Sequence, residues 1–265
     1  MYNYIKPIKR YGQNFLINPH INKRIVDSLE SQNNDIIVEI GAGLGGLTEI
    51  LKSKPYKKLI LLETDPRCTK ILREKYNDDI AVTQTSIIDF EFHSLFSKYG
   101  QKINVIGNIP YNITSGIIFK LLENNKFINR VILLVQKEVA NRILATPKGK
   151  DYGVLSIMAQ AKANINKVFD VSRKNFYPIP NVDSSVINLC LKSNIDDITD
   201  YDLFSKIVHS CFKMRRKMLH NSLGQLLEKN QLKKIKAIKL SLRPEELSIQ
   251  DFKNLSNEIS GIVYF

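Results

Sequence analysis

The chain has 265 residues, 43% of them hydrophobic and 25% charged, which is enough to bury a core without disulfide staples and to divide into a large and a small domain. Lys and Arg total 39 against 26 Asp and Glu, a formal charge of +13 that suggests a polyanionic partner such as nucleic acid, or else a solvated basic surface. Cys68, Cys190 and Cys211 are widely spaced, the four histidines lack metal-ligand spacing, and no apolar run nears membrane-spanning length. A disulfide framework, a metal site and a membrane role are therefore set aside, and a soluble, cytoplasmic protein is expected.

From Asp35 to about Leu191, short apolar runs alternate with longer amphipathic segments. The runs Ile36–Ile40, Leu59–Glu63, Ile103–Ile106, Val131–Val135 and Val186–Leu191 predict strands. Helices are predicted over Leu47–Lys54, Pro66–Tyr76, Ser115–Asn124 and Lys137–Ala145, with Asp65 as N-cap and Pro66 at the first helical position. Near-continuous apolar strands separated by helices indicate a mostly parallel sheet covered on both faces. Beyond a polar linker, Asn194–Asp200, the pattern is helical: Tyr201–Phe212, Arg215–Glu228, Leu232–Ile238 and Ile249–Asn257, with a strand signal only in the last few residues. The expected fold is α/β, a Rossmann-like sheet with helices on both faces over residues 1–192, followed by a small all-helical domain over 193–265.

Two stretches carry chemistry. Val38-Glu39-Ile40-Gly41-Ala42-Gly43-Leu44-Gly45-Gly46 follows a predicted strand and opens a helix. Such glycines let backbone approach a ligand at the carboxyl edge of a sheet. Gly41, Gly43 and Gly46 satisfy the dinucleotide-binding spacing, and Glu63 stands about 20 residues on, where a ribose-binding acid belongs. A nicotinamide dinucleotide and S-adenosylmethionine both carry that ribose, so the loop leaves the choice open.

The second stretch is Gly107-Asn108-Ile109-Pro110-Tyr111, again at a strand's carboxyl end. It resembles the tetrapeptide of adenine-N6 methyltransferases. Adenine's exocyclic nitrogen is conjugated and poorly nucleophilic, so acceptors that orient its N–H groups and stabilise developing positive charge are required. The Asn108 side-chain oxygen and the Ile109 carbonyl are the candidate acceptors. Pro110 stiffens the loop and Tyr111 can stack on a flipped-out base.

Further blocks sharpen the resemblance. They are Gly12-Gln13-Asn14-Phe15-Leu16, Gln136–Ala140, Tyr152–Ser156, Phe176–Ser185, Cys211–Lys217, Asn221-Ser222-Leu223 and Arg243–Leu247. Together they resemble the ribosomal RNA adenine dimethyltransferases, in family order from about residue 9 to 257. The resemblance implies S-adenosylmethionine-dependent dimethylation of two adjacent adenosines in the 3′-terminal hairpin of 16S ribosomal RNA, within ribosome biogenesis. It implies the small ribosomal subunit as partner, and a monomer is expected. Asn14, Leu16, Gly41, Gly43, Glu63 and Asn108 would border the cofactor, and Tyr111 and Phe176 would sandwich the adenine; a phenylalanine here could equally plug the core, but the paired prolines near a polar strand start favour the loop. Ser86 stands where the family usually has an acid facing the cofactor's adenine amine, with Asp89 as a stand-in if the loop shifts. Arg215, Arg216 and Lys217 would contact RNA phosphates. Two further basic groups, Lys6, Lys9 and Arg10, and Lys233, Lys234, Lys236 and Lys239, fit either RNA contact or a soluble face.

Three other readings share parts of this pattern: a macrolide-resistance methyltransferase acting on large-subunit RNA, a mitochondrial transcription factor retaining the fold, and a nicotinamide-dependent oxidoreductase. The Arg215–Leu223 and Arg243–Leu247 blocks favour the small-subunit enzyme over the first. Intact Asn108-Ile109-Pro110-Tyr111 disfavours the other two.

Overall fold

The computed structural model describes residues 5–76 and 80–263. The chain forms two compact units. The first runs to Ala140 and resumes over Ala163–Ser193, and the second comprises Asn141–Lys162 and the chain from Asn194 onward. From the sequence, a single boundary after residue 192 is expected. The structure instead draws Asn141–Lys162 out of the first unit, because that segment buries its apolar residues among the C-terminal helices.

The first unit opens with β1 (Phe15–Leu16) and α1 (Pro19–Asp27). Asn18 caps α1 by accepting from the His20 and Ile21 amides, and Pro19 lies in its first turn. Four β–α pairs follow: β2 (Ile36–Ile40) and α2 (Thr48–Leu51), β3 (Lys58–Glu63) and α3 (Pro66–Tyr76), β4 (Ala81–Gln84) and α4 (Phe92–Tyr99), β5 (Ile103–Asn108) and α5 (Thr114–Glu123). Then come β6 (Ile128–Gln136) and α6 (Lys137–Leu144), the helix in which the chain leaves for the second unit. On its return it adds β7 (Ala163–Val171), β8 (Phe176–Tyr177) and β9 (Ser184–Leu191).

Seven strands form one sheet in the order β4-β3-β2-β5-β6-β9-β7. β4, β3, β2, β5 and β6 are parallel neighbours, whereas β9 pairs antiparallel with both β6 and β7. β2 and β6 read as near-continuous apolar runs because both faces are covered, and Ile36, Ile37, Val38, Ile132, Leu133 and Leu134 are fully buried. The strand order reverses between β2 and β5, where an open α/β sheet leaves a crevice at its carboxyl edge. β5 approaches β2 so closely there that a Cβ on Gly107 would lie 2.6 Å from the Ile40 carbonyl oxygen.

The second unit contains α7 (Val154–Lys162), α8 (Tyr201–Lys213), α9 (Leu219–Leu223), α10 (Lys229–Leu232) and α11 (Ile249–Val263). Asp200 caps α8 through the Leu203 amide. α8 packs on α7 and α11, burying Phe204, Ile207, Val208, Phe252 and Leu255. The helix expected over Arg215–Glu228 shrinks to α9, and Arg215–Lys217 lie in the turn that precedes it. α11 continues as helix through Val263 where a strand signal was read, and the final two residues lie outside the described ones.

Candidate active site

A cleft of about 770 Å³, its open mouth included, lies in the first unit at the carboxyl ends of β2, β3 and β5. Asn14, Leu16, Gly41, Gly43, Glu63, Asn108, Ile109, Pro110 and Tyr111 all line it. The structure therefore brings together all but two of the cofactor and target residues read from the sequence.

The glycine loop after β2 forms one wall. Gly43 has φ +57°, and a Cβ there would sit 3.2 Å from the Phe15 ring. The loop can lie flat against β1 only without a side chain at this point. The Gly43 amide donates to one Glu63 carboxylate oxygen at 2.7 Å, and the Thr64 and Asp65 amides donate to the other at 2.8 Å each. Glu63 is only 6% exposed. Burial raises its pKa against the pull of these three donors. The result is a carboxylate with fixed orientation at the end of β3.

Asp65 begins α3 as read from the sequence, accepting from the Arg67 amide at 3.0 Å. It also ties down the N-terminal segment, because Gln13 donates to its carboxylate at 2.8 Å. Burial opposes its ionisation, but the Arg67 guanidinium at 2.6 Å prevails and holds the carboxyl below its ordinary value.

The segment Asn108–Tyr111, which leaves the end of the neighbouring β5, also lines the cleft. The Asn108 amide nitrogen donates to the Asn14 carbonyl at 2.9 Å. This fixes the amide plane and leaves the Asn108 side-chain oxygen as an acceptor with no protein partner among the described residues. Thr114 donates to the carbonyls of Pro110 and Tyr111, which holds the loop against the start of α5. The Tyr111 hydroxyl meets the buried Ser184 hydroxyl at 2.7 Å. Burial raises the tyrosine's pKa, so it stays neutral at physiological pH.

Two predicted residues fall outside this cleft. Ser86 lines an adjoining hollow with Thr85, Ile87, Leu62, Ile113 and Ile117, and the two cavities share Tyr11, Gly41, Thr64 and Pro110. The Ser86 hydroxyl accepts from the Ile88 amide at 3.2 Å, and Asp89 is exposed and lines neither cavity. Phe176 is 1% exposed and sits in the hydrophobic core with Leu16, Val171 and Val186. The structure thus realises the core-plug alternative for this ring.

Glu39 escaped the sequence reading. It lines the cleft, is 1% exposed, and accepts from the Thr48 hydroxyl at 2.7 Å. Burial, reinforced by the nearby Glu63 charge, lifts its pKa to about 8 against the Thr48 hydrogen bond. A carboxyl inside the apolar run Ile36-Ile37-Val38-Glu39-Ile40 was the available signal, since buried acids without a salt-bridge partner are rare.

In the second unit, Arg216 and Lys217 are exposed but Arg215 is not free. Its guanidinium pairs with Glu245 at 2.8 Å and donates to the Gly149 carbonyl at 3.2 Å. The blocks around Tyr152 and Arg243 join the same framework. The Tyr152 hydroxyl donates to the Leu247 carbonyl, and the Lys148 amide donates to that of Glu245. Lys6, Arg10, Lys233, Lys234, Lys236 and Lys239 are exposed, and the Lys9 side chain lies outside the described residues.

Comparison with known proteins places this geometry. The family model described as ribosomal RNA adenine dimethylase matches residues 6–260. A protein of Chlorobium phaeobacteroides named ribosomal RNA small subunit methyltransferase A is 40% identical over 259 residues, 96% of this chain and 92% of the relative. Its namesake in Mycoplasma capricolum is 37% identical over 263 residues, 96% of this chain and 98% of the relative. The crystal structure of a dimethyladenosine transferase from Plasmodium falciparum superposes with a TM-score of 0.80 at 26% identity, covering 94% of this chain and 98% of that one. The 23S rRNA methyltransferase ErmE shares the fold, with a TM-score of 0.69 at 24% identity, covering 93% of this chain and all of that one. A crevice walled by a glycine loop and Asn-Ile-Pro-Tyr thus lies inside a match that spans nearly every residue, and the chain belongs to the ribosomal RNA adenine dimethylase family.

Proposed function

We propose that this chain transfers methyl groups from S-adenosylmethionine to the N6 amines of two adjacent adenosines in the 3′-terminal hairpin of 16S ribosomal RNA. It does so as a cytoplasmic monomer acting on the small ribosomal subunit. The observation that carries the reading is the Asn108 amide. With its nitrogen committed to Asn14, its oxygen is held as an acceptor at the mouth of the sheet crevice. An adenine amine is a donor of the matching kind.

S-adenosylmethionine supplies an electrophilic methyl group when bound, and the residues present fit it. Glu63 offers ribose hydroxyls a carboxylate already oriented by three amides. Gly41 and Gly43 clear the approach, and Asn14 and Leu16 close the cleft from the N-terminal side. Leu62, Ile87, Ile113 and Ile117 in the adjoining hollow would hold a planar purine, and the Ser86 hydroxyl in the same lining would accept from the purine's amine.

Asn108 and the Ile109 carbonyl accept the target N–H groups, which turns the nitrogen lone pair toward the methyl group and stabilises positive charge forming on nitrogen. Once alkylated, that nitrogen is acidic enough to lose its proton without a strong general base. Tyr111 offers its ring to the flipped base. The exposed Arg216 and Lys217 supply phosphate contacts.

Labelled S-adenosylmethionine offered with small subunits lacking the modification, and with large subunits in parallel, tests this directly. Dimethyladenosine in small-subunit RNA alone is expected. Label confined to large-subunit RNA, or absent from both, overturns the proposal.

A further inference from the structure

The lining of the cleft is acidic in a protein that is strongly basic. Among the described residues it includes Glu39 and Glu63 and no Lys, Arg or His, although the chain as a whole carries +13. A cation bound there favours the ionised form of both carboxyls, so the lining suits a ligand with positive charge. Glu63 already accepts from three backbone amides. The side-chain oxygen of Asn22, in the same lining, is different. Asn22 is 3% exposed, its oxygen is fully buried, and no described residue donates to it. A buried acceptor without a donor has lost its hydration and gained nothing in exchange.

Its position makes this residue type costly. The buried residues of α1 are Asn22, Ile25 and Val26, the i, i+3, i+4 stripe by which a helix meets a core, and an apolar side chain is what such a stripe ordinarily carries. The glycine loop comes close beside it. A Cβ on Gly46 would lie 3.3 Å from the Asn22 amide nitrogen and 3.7 Å from the Leu16 carbonyl oxygen. In the reading above, Glu63 takes the ribose hydroxyls, Ser86 the purine's amine and Asn108 the target amine, which leaves the Asn22 oxygen as a lining acceptor with no assigned donor. S-adenosylmethionine has one charged N–H donor, the ammonium of its amino-acid end; its sulfonium has no hydrogen to donate.

We propose that Asn22 is a further cofactor-binding residue, whose side-chain oxygen accepts from the ammonium of the amino-acid end of S-adenosylmethionine. This rests on the methyl-transfer reading above. A hydrogen bond from an ionised donor is roughly twice as strong as a neutral one, which offsets the burial of the amide once the ligand is in place.

The test is calorimetry without RNA on wild type, Asn22→Leu and Asn22→Asp, with thermal unfolding of the same ligand-free preparations. The probes are S-adenosylmethionine, its decarboxylated form, which keeps the ammonium, and 5′-methylthioadenosine, which lacks the amino-acid end. Asn22→Leu is expected to weaken binding of the first two by roughly ten- to hundredfold, the range for a hydrogen bond to a charged group, and to leave the Kd of 5′-methylthioadenosine unchanged. Its thermal midpoint is expected to match or exceed that of wild type, because a buried unpaired oxygen has been replaced by an apolar group of similar size. Asn22→Asp keeps an acceptor and is expected to retain affinity for the first two probes. Unchanged Kd for all three probes in Asn22→Leu overturns the assignment, and so does equal weakening of all three, which marks a general distortion of the cleft. Weakening of S-adenosylmethionine alone puts the amide nitrogen on the carboxylate and overturns it as well. Failure of the wild-type protein to bind S-adenosylmethionine overturns the cofactor reading itself, and the assignment with it.

Discussion

Glu39 shows how one buried group shapes behaviour at the scale of a single side chain. Burial lifts its pKa from 4.5 to about 8, so the folded protein holds a proton that the unfolded chain releases. A raised acid pKa means that its stabilising effect is complete below pH 4.5 and is lost as the pH rises toward 8. The loss is about 1.4 kcal/mol per pH unit at most across that window. Glu39→Gln removes the titration while keeping an oxygen that can accept from Thr48. Urea unfolding at pH 5, 6, 7 and 8 is expected to give a steeper fall of stability for wild type than for the variant. Parallel curves would show that the carboxyl is already ionised in the fold. Ser86 supports a second prediction. A serine hydroxyl accepts a hydrogen bond more weakly than a carboxylate does, so Ser86→Asp is expected to tighten S-adenosylmethionine binding several-fold. An unchanged Kd in calorimetry would mean that the adenine amine has no partner at this position.

At the scale of elements, what the sequence made legible follows from how strongly burial imposed a pattern. β2, β3, β5, β6 and β9 lie inside the sheet and read as apolar runs, and α3 begins at Pro66 and ends at Tyr76 as its cap and period indicated. β7 gave no such signal because it is the sheet's edge strand, with exposed Asn164, Lys167 and Asp170 standing where an inner strand carries apolar residues. β4, the other edge, is four residues long and ends in exposed Thr83 and Gln84. The two-residue pair β1–β8 is too short to leave a period, yet its register decides which of Phe176 and Tyr177 faces the core. The site residues drawn from Gly41, Glu63 and Asn108–Tyr111 were legible because chemistry and turn geometry fix their types. Gln13 and Ser184 were not, since their roles lie in contacts between segments distant in sequence, whereas the Glu39 carboxyl stood out only as a charge inside an apolar run.

The whole molecule carries +13, and the question is how that charge divides between structure and RNA. Arg215 and Arg216 are neighbours in the turn after α8 with different surroundings. Arg215 pairs with Glu245 and donates to the Gly149 carbonyl, whereas Arg216 and Lys217 face solvent. Arg215→Ala is expected to lower unfolding stability by about 1 kcal/mol, a partly exposed pair discounted for screening, and to leave the salt dependence of RNA affinity nearly as in wild type. A double Arg216→Ala, Lys217→Ala variant should do the reverse. Its thermal midpoint stays put, while the slope of log K against log salt shrinks by roughly 0.7 to 0.9 for each phosphate contact removed. Filter binding to small-subunit RNA between low and physiological salt, with thermal unfolding of the same preparations, reads both effects. If the double variant keeps the wild-type slope, Arg216 and Lys217 are a solvated face, and the RNA-binding charge must come from other exposed groups such as Lys6 and Arg10 or Lys233, Lys234, Lys236 and Lys239. If Arg215→Ala lowers the slope at unchanged stability, the ion pair with Glu245 opens on the RNA and the two neighbours act together.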